Sequence, residues 1–414
     1  MLFGTSKKVV TPPVPLRLAG YASRKECFQK VEEDIYVRVH VQRTAEAQLI
    51  FIYGDFLWWN TQFTDIARAK LKKELGIGCD SLFFVASHNH SGPGTGNSFI
   101  PQLEQAEESY RDFLLGKVVE AVREAMEVLD EVTLWRFDGN SNLNVFRRRK
   151  LGDNIEMRPD FQVPSDTHLT ILGFLNADGD MKGLVAHYPC HANLSGQNVL
   201  HPDYPGIALR LLDQAYPGCV SMFWQGCTGD LRPRNILGDH FAEGDYDKAQ
   251  LFAGDFVEDC KRTLSRSGRK VSEKLSIHSR EILLPLENRK SDEELRACLG
   301  SQDEVQRAWA MKVLEKGNPA FEILRMKYVK YGEGLAVYFF GAEMSQEYAL
   351  WARRQDPSAV CTAYTDGMTG YICTAQQILE GGYEPKGSAK YFALGGTFPP
   401  EVEKLIKDKM GAFI

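Results

Sequence analysis

What this chain lacks narrows its role before any motif is read. It has no surplus of positive charge: 49 Lys and Arg stand against 55 Asp and Glu, for a formal net charge of −6. Nucleic-acid partners ordinarily meet a basic stripe, so none is expected. The one basic cluster, Arg147-Arg148-Arg149-Lys150, is short. It reads either as a solvated loop or as an anchor for a polar or anionic substrate. No apolar run approaches the roughly 20 residues of a membrane span, so stable membrane insertion is not expected. The opening stretch, MLFGTSKKVVTPPVP, has neither the apolar core nor the cleavage pattern of a secretory leader. The nine cysteines are an odd number, scattered without a CxxC pair. That suits reduced thiols in a cytoplasmic chain better than a disulfide framework. Cys190 adjoins His191, but neighbours on a strand face opposite ways, which argues against a Cys–His dyad. There is no internal repeat and no low-complexity linker.

What is present is an alternation of strand-like and helix-like segments. Tyr36–Gln42 and Gln48–Tyr53 read as strands around a polar turn. Thr61–Leu75 reads as a helix stopped by Gly76. Leu82–Ala86 is a short apolar strand, Leu103–Leu129 a long helical pattern, and Val132–Phe137 a strand. His168–Leu175 and Lys182–Tyr188 flank Ala177-Asp178-Gly179-Asp180, a hairpin signature. Helices follow at Tyr204–Tyr216 and Asp245–Arg266, and strands at Val220–Trp224, Lys274–Leu286 and Leu335–Gly341. A charged helical region is predicted over Ser291–Lys330 and a short helix over Pro400–Met410. The fold class is α/β, with mixed β-sheets flanked by helices. Residues 1–414 read as a single domain. The segment at about 287–330 is either a helical insertion or lid, or an ordinary surface helical pair.

Chemistry concentrates where strands run into loops. SHNHSGPG, Ser87 to Gly94, follows the apolar strand Leu82–Ala86. His88 and His90, two apart, project from one side of an extended backbone before Gly92-Pro93-Gly94 turns the chain. The pair suits a metal or an acid/base site, or merely hydrogen-bonds at a strand end. Residues 186–206 hold His187, His191, His201 and Asp203 ahead of a helix. In the plainer reading of that block, His187 and His201 are structural. Glu343 in GAEMSQEY sits at the mouth of an apolar strand as a ligand, a base, or the first-turn acid of the next helix. Tyr371 and Tyr383, beside glycine turns in residues 365–385, are packed aromatics or phenols presented to a site. In QGCTGDLRPR, residues 225–234, Gly226 and Gly229 allow close backbone approach, either to a substrate oxygen or in a tight turn.

In order and wording these segments resemble the catalytic domain of the neutral (non-lysosomal) ceramidase family. The resemblance runs from KVVTPP and LAGYASR through SHNHSGPG, the His191 block ending in DYPG, QGCTGDLRP, the strand followed by Gly-x-Glu, and GY…GGYE. It implies a neutral-ceramidase-like catalytic domain and a zinc-dependent amidohydrolase acting on a small-molecule N-acyl amide. By motif position, His88, His191, Glu343 and Tyr371 would be the zinc ligands. His90 would be a proton-handling or substrate-contacting group, Tyr383 an oxyanion or substrate donor, and Arg147, with Arg148 next in line, the substrate-contacting arginine. The metal would activate a water for attack on the amide carbonyl. Two other readings use the same donors: a metal-dependent esterase or phosphoesterase, and a non-catalytic metal-binding protein of this fold.

The chain departs from the family pattern in two ways. No counterpart of the family's C-terminal β-sandwich domain is expected after the catalytic motifs. Where the family has Gly-Asp-Val-Ser-Pro-Asn, this chain has Gly-Asp-Leu-Arg-Pro-Arg, with Arg232 and Arg234 replacing Ser and Asn. That excludes a serine nucleophile at this position and points to small, polar N-acyl compounds in preference to long-chain ceramide. Oligomeric state is not readable from the sequence.

Overall fold

The computed structural model of the chain describes residues 1–413. Strands Leu2–Val9 (β1), Tyr36–Arg43 (β2), Gln48–Gly54 (β3), Leu82–Ala86 (β4) and Asp130–Glu131 (β5) form a first sheet in the order β4–β3–β2–β1–β5. Helices Thr61–Leu75 (α1) and Glu108–Glu127 (α2) cover one face of it. On β2, Val37, Val39 and Val41 alternate with Arg38, His40 and Gln42, and all six are buried. A polar face can be buried only if its groups find partners. Arg38 pairs with Asp213 at 2.7 Å, His40 Nε2 lies 2.8 Å from the Val220 carbonyl, and Gln42 accepts from Tyr331 at 2.6 Å. Those partners belong to neighbouring layers, so the polar row of β2 fastens the sheet to what lies beneath it.

The second layer begins with Thr133–Asn140 (β6). A hairpin of Asn144–Leu151 (β7) and Asn154–Asp160 (β8) follows, then a hairpin of His168–Leu175 (β9) and Met181–Tyr188 (β10). Helix Asp203–Ala215 (α3) leads to Val220–Gln225 (β11) and Leu231–Pro233 (β12). A small ribbon of Ile236–Leu237 (β13) and His240–Phe241 (β14) precedes helix Tyr246–Leu264 (α4) and Arg269–Lys270 (β15). The second sheet is ordered β11–β10–β9–β6–β15, and β12–β7–β8 form a separate three-stranded sheet. Phe51, Phe83 and Val85 of the first sheet meet Ile171, Val185 and Trp224 of the second in one core, against which α3 and α4 also bury Leu209, Leu212 and Phe256. The result is helices, sheet, sheet, helices.

The remainder is Leu275–Pro285 (β16), Asp292–Cys298 (α5), Glu304–Glu315 (α6), Phe321–Tyr331 (β17), Leu335–Phe340 (β18), Glu343–Met344 (β19), Gln346–Gln355 (α7), Ala359–Thr362 (β20), Tyr371–Ile372 (β21), Ala375–Glu380 (α8) and Glu401–Gly411 (α9). Strands β16–β17–β18–β20 make a four-stranded sheet, and β19 pairs with β21. Parallel pairing occurs at β3–β4, β10–β11, β18–β20 and β19–β21, amid antiparallel ladders, so the sheets are mixed as expected.

Three expectations need correction. The helical region over Ser291–Lys330 is helical only in α5 and α6, and Phe321–Tyr331 is a strand. Its charges mask a period of two, in which Leu324, Met326 and Tyr328 are buried between Arg325 and Lys327. The long helix begins at Glu108, not Leu103, because Glu104 is a loop hub. Its carboxylate accepts from Trp58 (3.1 Å), Asn60 (2.8 Å), Thr95 N (2.9 Å) and Gly96 N (3.0 Å). The basic cluster at 147–150 is part of β7, not a solvated loop, and Arg147 and Arg148 are buried. By contrast α1 ends where expected, with Gly76 left-handed at φ 70° and its N–H on the Lys72 carbonyl.

Candidate metal centre

The loops that leave β4, β10, β11, β18 and β20 meet at one edge of the layers. All but the last two of these strands belong to the two central sheets, and each loop begins at a strand's carboxyl end, where α/β folds commonly place their sites. The β4 loop carries His88 and His90, but not by strand alternation. The strand stops at Ala86, and His88 is left-handed, at φ 64°. The two rings nevertheless converge, with centroids 4.7 Å apart. Asn89 between them holds the kink in place. Its amide donates to the Asp55 carbonyl (3.1 Å) and the His201 carbonyl (2.9 Å), and its oxygen accepts from Ser91 N (2.8 Å). The His90 N–H donates to the Ala192 carbonyl at 3.0 Å, tying this loop to the one bearing His191. Gly20 lies against the His90 ring at φ 97°, where a Cβ would come within 2.5 Å of Nδ1.

Three imidazoles point inward. His88 Nε2 is 3.0 Å from His191 Nε2 and 3.2 Å from His90 Nε2. Glu343 Oε2 lies 3.5 Å from His88 Nε2 and 3.7 Å from His191 Nε2. Tautomers follow from the outer nitrogens. His88 Nδ1 sits 3.0 Å from the Leu57 carbonyl, and His191 Nδ1 sits 2.9 Å from the Thr228 carbonyl. A carbonyl accepts only, so each Nδ1 carries the proton and each Nε2 presents a lone pair. Two lone pairs 3.0 Å apart, with a carboxylate beside them, call for positive charge, part of which Arg147 Nη1 supplies at 3.3 Å from His191 Nε2. Burial pushes His88 down to about 3 and His191 well below its ordinary value, and the Arg147 charge adds to both shifts. Glu343 is pushed up by burial to about 7, with Arg147 opposing. A nitrogen and oxygen donor set of this kind fits a divalent cation, and an Nδ1–H held by a carbonyl is the usual support of a ligating histidine. His88, His90 and His191 form the His/Cys/Asp/Glu cluster with metal-binding geometry among the described residues.

The remaining expected residues frame this point. Glu343 and Tyr371 are partners across the parallel pair β19–β21. Arg147 stands on β7 with Nη2 donating to the Tyr371 hydroxyl (3.0 Å), Nη1 facing His191 Nε2 (3.3 Å) and Nε on Glu384 (2.9 Å). Arg148 takes the other oxygen of Glu384, then turns to the carbonyls of Gly381 (2.9 Å) and Gln377 (3.3 Å) at the end of α8. Arg147 therefore faces the histidines, whereas Arg148 caps a helix. Tyr383, 36% exposed, lies at the rim, its ring 5.7 Å from that of Tyr371. His187 and His201 stay outside the cluster: His187 Nε2 lies 2.9 Å from the Cys361 carbonyl, and His201 Nδ1 accepts from Asp203 N at 3.1 Å. The Cys190 thiol lies 3.8 Å from the His191 carbonyl, while the His191 ring engages Thr228 and His88.

Several contributors were not singled out from the sequence. Thr228 holds His191 through both its carbonyl and its hydroxyl, the latter at 2.7 Å. Tyr364 stacks on His88 at 4.1 Å. Glu384 joins two arginines, and Tyr21 lies 5.0 Å from His90. Thr228 and Glu384 fall inside quoted motifs, QGCTGD and GGYE, so position was available as a signal. Their partners, far along the chain, were not.

No family model matches the chain. The neutral ceramidase of Pseudomonas aeruginosa is 23% identical over 249 residues, covering 56% of this chain and 37% of that enzyme. The neutral ceramidase of Drosophila melanogaster is 22% identical over 253 residues, covering 56% of this chain and 35% of its own length. The chain thus spans little more than a third of the curated relatives it matches. Among solved structures, the neutral ceramidase crystal structure from Pseudomonas aeruginosa superposes with a TM-score of 0.78 at 17% identity, over 99% of this chain and 73% of that one. A ceramidase complexed with C2 superposes with a TM-score of 0.78 at 15% identity, over 99% and 74%. The chain is similar in sequence to neutral ceramidases over part of their length and has the fold of those structures.

Proposed function

We propose that this chain is a zinc-dependent amidohydrolase acting on a linear N-acyl amide. One observation carries the reading: three imidazole nitrogens and a carboxylate converge, two of the rings with their protons turned away, beside an arginine that reaches both a histidine and a phenol. The likeness to neutral ceramidases supports amide hydrolysis as the class of reaction. His88, His191, Glu343 and Tyr371 would hold the metal. A zinc bound there would polarise an amide carbonyl and lower the pKa of water toward roughly 7.

The chain's own groups do the rest. Thr228 and Leu57 keep the Nδ1 protons of His191 and His88 fixed, so both rings stay aimed. His90 Nε2 faces the centre at 3.2 Å from His88 Nε2, so the proton-handling role falls to it, although burial pushes the ring well below its ordinary value. Arg147 donates to the Tyr371 hydroxyl and so favours its ionised form. Burial opposes this and pushes that phenol well above its ordinary value, with the Glu343 charge adding. Tyr383 at the rim can donate to the carbonyl oxygen as charge develops there, a contribution commonly worth about 3 kcal/mol. Arg148 is assigned a positioning role, through Glu384.

Two measurements on purified protein test the reading: metal content, and hydrolysis of N-acyl amides. About one zinc per chain, with release of a carboxylate and an amine, is expected. A protein that takes up zinc but cleaves only esters would return the site to the esterase alternative. One that takes up no zinc would remove the metal assignment.

A further inference from the structure

The cations around the centre are not equally satisfied. Arg147 and Arg148 share Glu384, and Arg24 spends its guanidinium on the carbonyls of His90 and Ser195. Arg232 has no such answer. It stands on β12 opposite Val145 of β7, two residues from Arg147 in register, and is half-buried. Its side-chain contacts are the Met157 sulfur at 3.7 Å and the face of Phe241 at 4.7 Å. Among the described residues no carboxylate lies within ion-pair distance of it, and burial lowers its pKa. Val145 and Arg147 share a face of β7, so the register sets Arg232 on the side that carries Arg147. Arg234, the other departure from the family wording, is exposed over Phe161 at 5.3 Å. Withdrawing a guanidinium from water without a counter-charge is costly. The acids at the centre are already committed, Glu384 to two arginines and Glu343 to the histidine cluster. A surplus positive charge is left on the β7–β12 side of the centre.

We infer that Arg232 receives an anionic group of the substrate, so that the amide taken by this chain carries a carboxylate. This rests on the reading of the centre as an amide hydrolase and narrows it to acidic N-acyl amides. The guanidinium offers a planar fork of donors matched to a carboxylate.

The test uses the zinc-loaded full chain and two pairs of probes. For hydrolysis these are N-hexanoylglycine and its neutral counterpart N-hexanoylglycinamide. For binding by calorimetry they are the corresponding ketones, in which carbon replaces the amide nitrogen so that no cleavage occurs. A charge-assisted contact predicts that the acidic ketone binds the native protein roughly 10- to 100-fold more tightly than the neutral one. Arg232→Gln should bring the ratio near unity, and Arg232→Lys should keep part of it. Equal binding of the two ketones by the native protein, or a preference that survives Arg232→Gln, overturns the inference. If the binding preference is present and lost in Arg232→Gln while neither amide is cleaved, the hydrolase reading fails and the role of Arg232 stands. If both amides are cleaved with equal kcat/KM and both ketones bind equally, the hydrolase reading stands and the role of Arg232 falls.

Discussion

His40 and His187 are as deeply buried as His88 and His191, and each rests one ring nitrogen on a backbone carbonyl. Burial pushes all four toward the neutral form, His40 and His187 down to about 4. The difference lies in the second nitrogen. In His40 and His187 it is Nδ1, alone and facing no other donor. In His88 and His191 it is Nε2, and the two meet at 3.0 Å with Glu343 beside them. Burial and a lowered pKa are therefore common to scaffold and site; convergence of lone pairs is what separates them.

The comparison breaks first at the ligands. His191→Ala should abolish stoichiometric zinc binding. His40→Ala should retain zinc and instead lower stability by roughly 1–3 kcal/mol, since the Val220 carbonyl loses its partner. Metal analysis and denaturant unfolding on both variants decide it, and zinc retained in His191→Ala would erase the distinction. Next comes His90, whose Nε2 approaches His88 as closely as a ligand's would, at 3.2 Å. With a proton-handling role, His90→Ala should keep zinc and lose roughly 100-fold in kcat. Loss of zinc with it would move His90 among the ligands.

The two tyrosines should split in the same way. Tyr371→Phe should weaken metal affinity. Tyr383→Phe should hold its metal and lose turnover by up to roughly 100-fold. Small, equal effects in both variants would make them packing aromatics.

The last test lies in the scaffold set. Between pH 6.5 and about 4 the unfolded chain binds a proton that folded His187 refuses. Stability should therefore fall as pH drops through that window, by about 1.4 kcal/mol per unit for this one group. A urea midpoint series on the native protein and His187→Gln should show the shallower slope in the variant.

Much of the layout was legible because strand ends announce themselves. Leu82–Ala86 and His168–Leu175 are apolar runs bounded by turn residues, and both are strands as read. Thr61–Leu75 ends at a glycine because only a left-handed cap closes it there. The β17 strand was obscured by Arg325, Lys327 and Lys330, whose charges suggested a solvated helix although alternate positions are buried. His88 and His90 were paired for an incomplete reason, since a left-handed residue and not an extended strand turns the first ring inward. Roles that depend on remote partners were beyond reach. Glu384 meets Arg147 from 237 positions away, and nothing local marks that carboxylate as shared.

The parallel bridge that sets Glu343 beside Tyr371 has one more consequence. The donors proposed for the metal come from four separate stretches of chain, near residues 88, 191, 343 and 371, and no two neighbouring stretches could form the set alone. His88 needs Leu57 and His191 needs Thr228 before either ring is aimed. The centre therefore exists only after nearly every layer has assembled, and it rests on contacts far apart in sequence, a class that forms slowly. Metal capture would then report on completed assembly, giving a chain misassembled in any one layer no foothold for the ion.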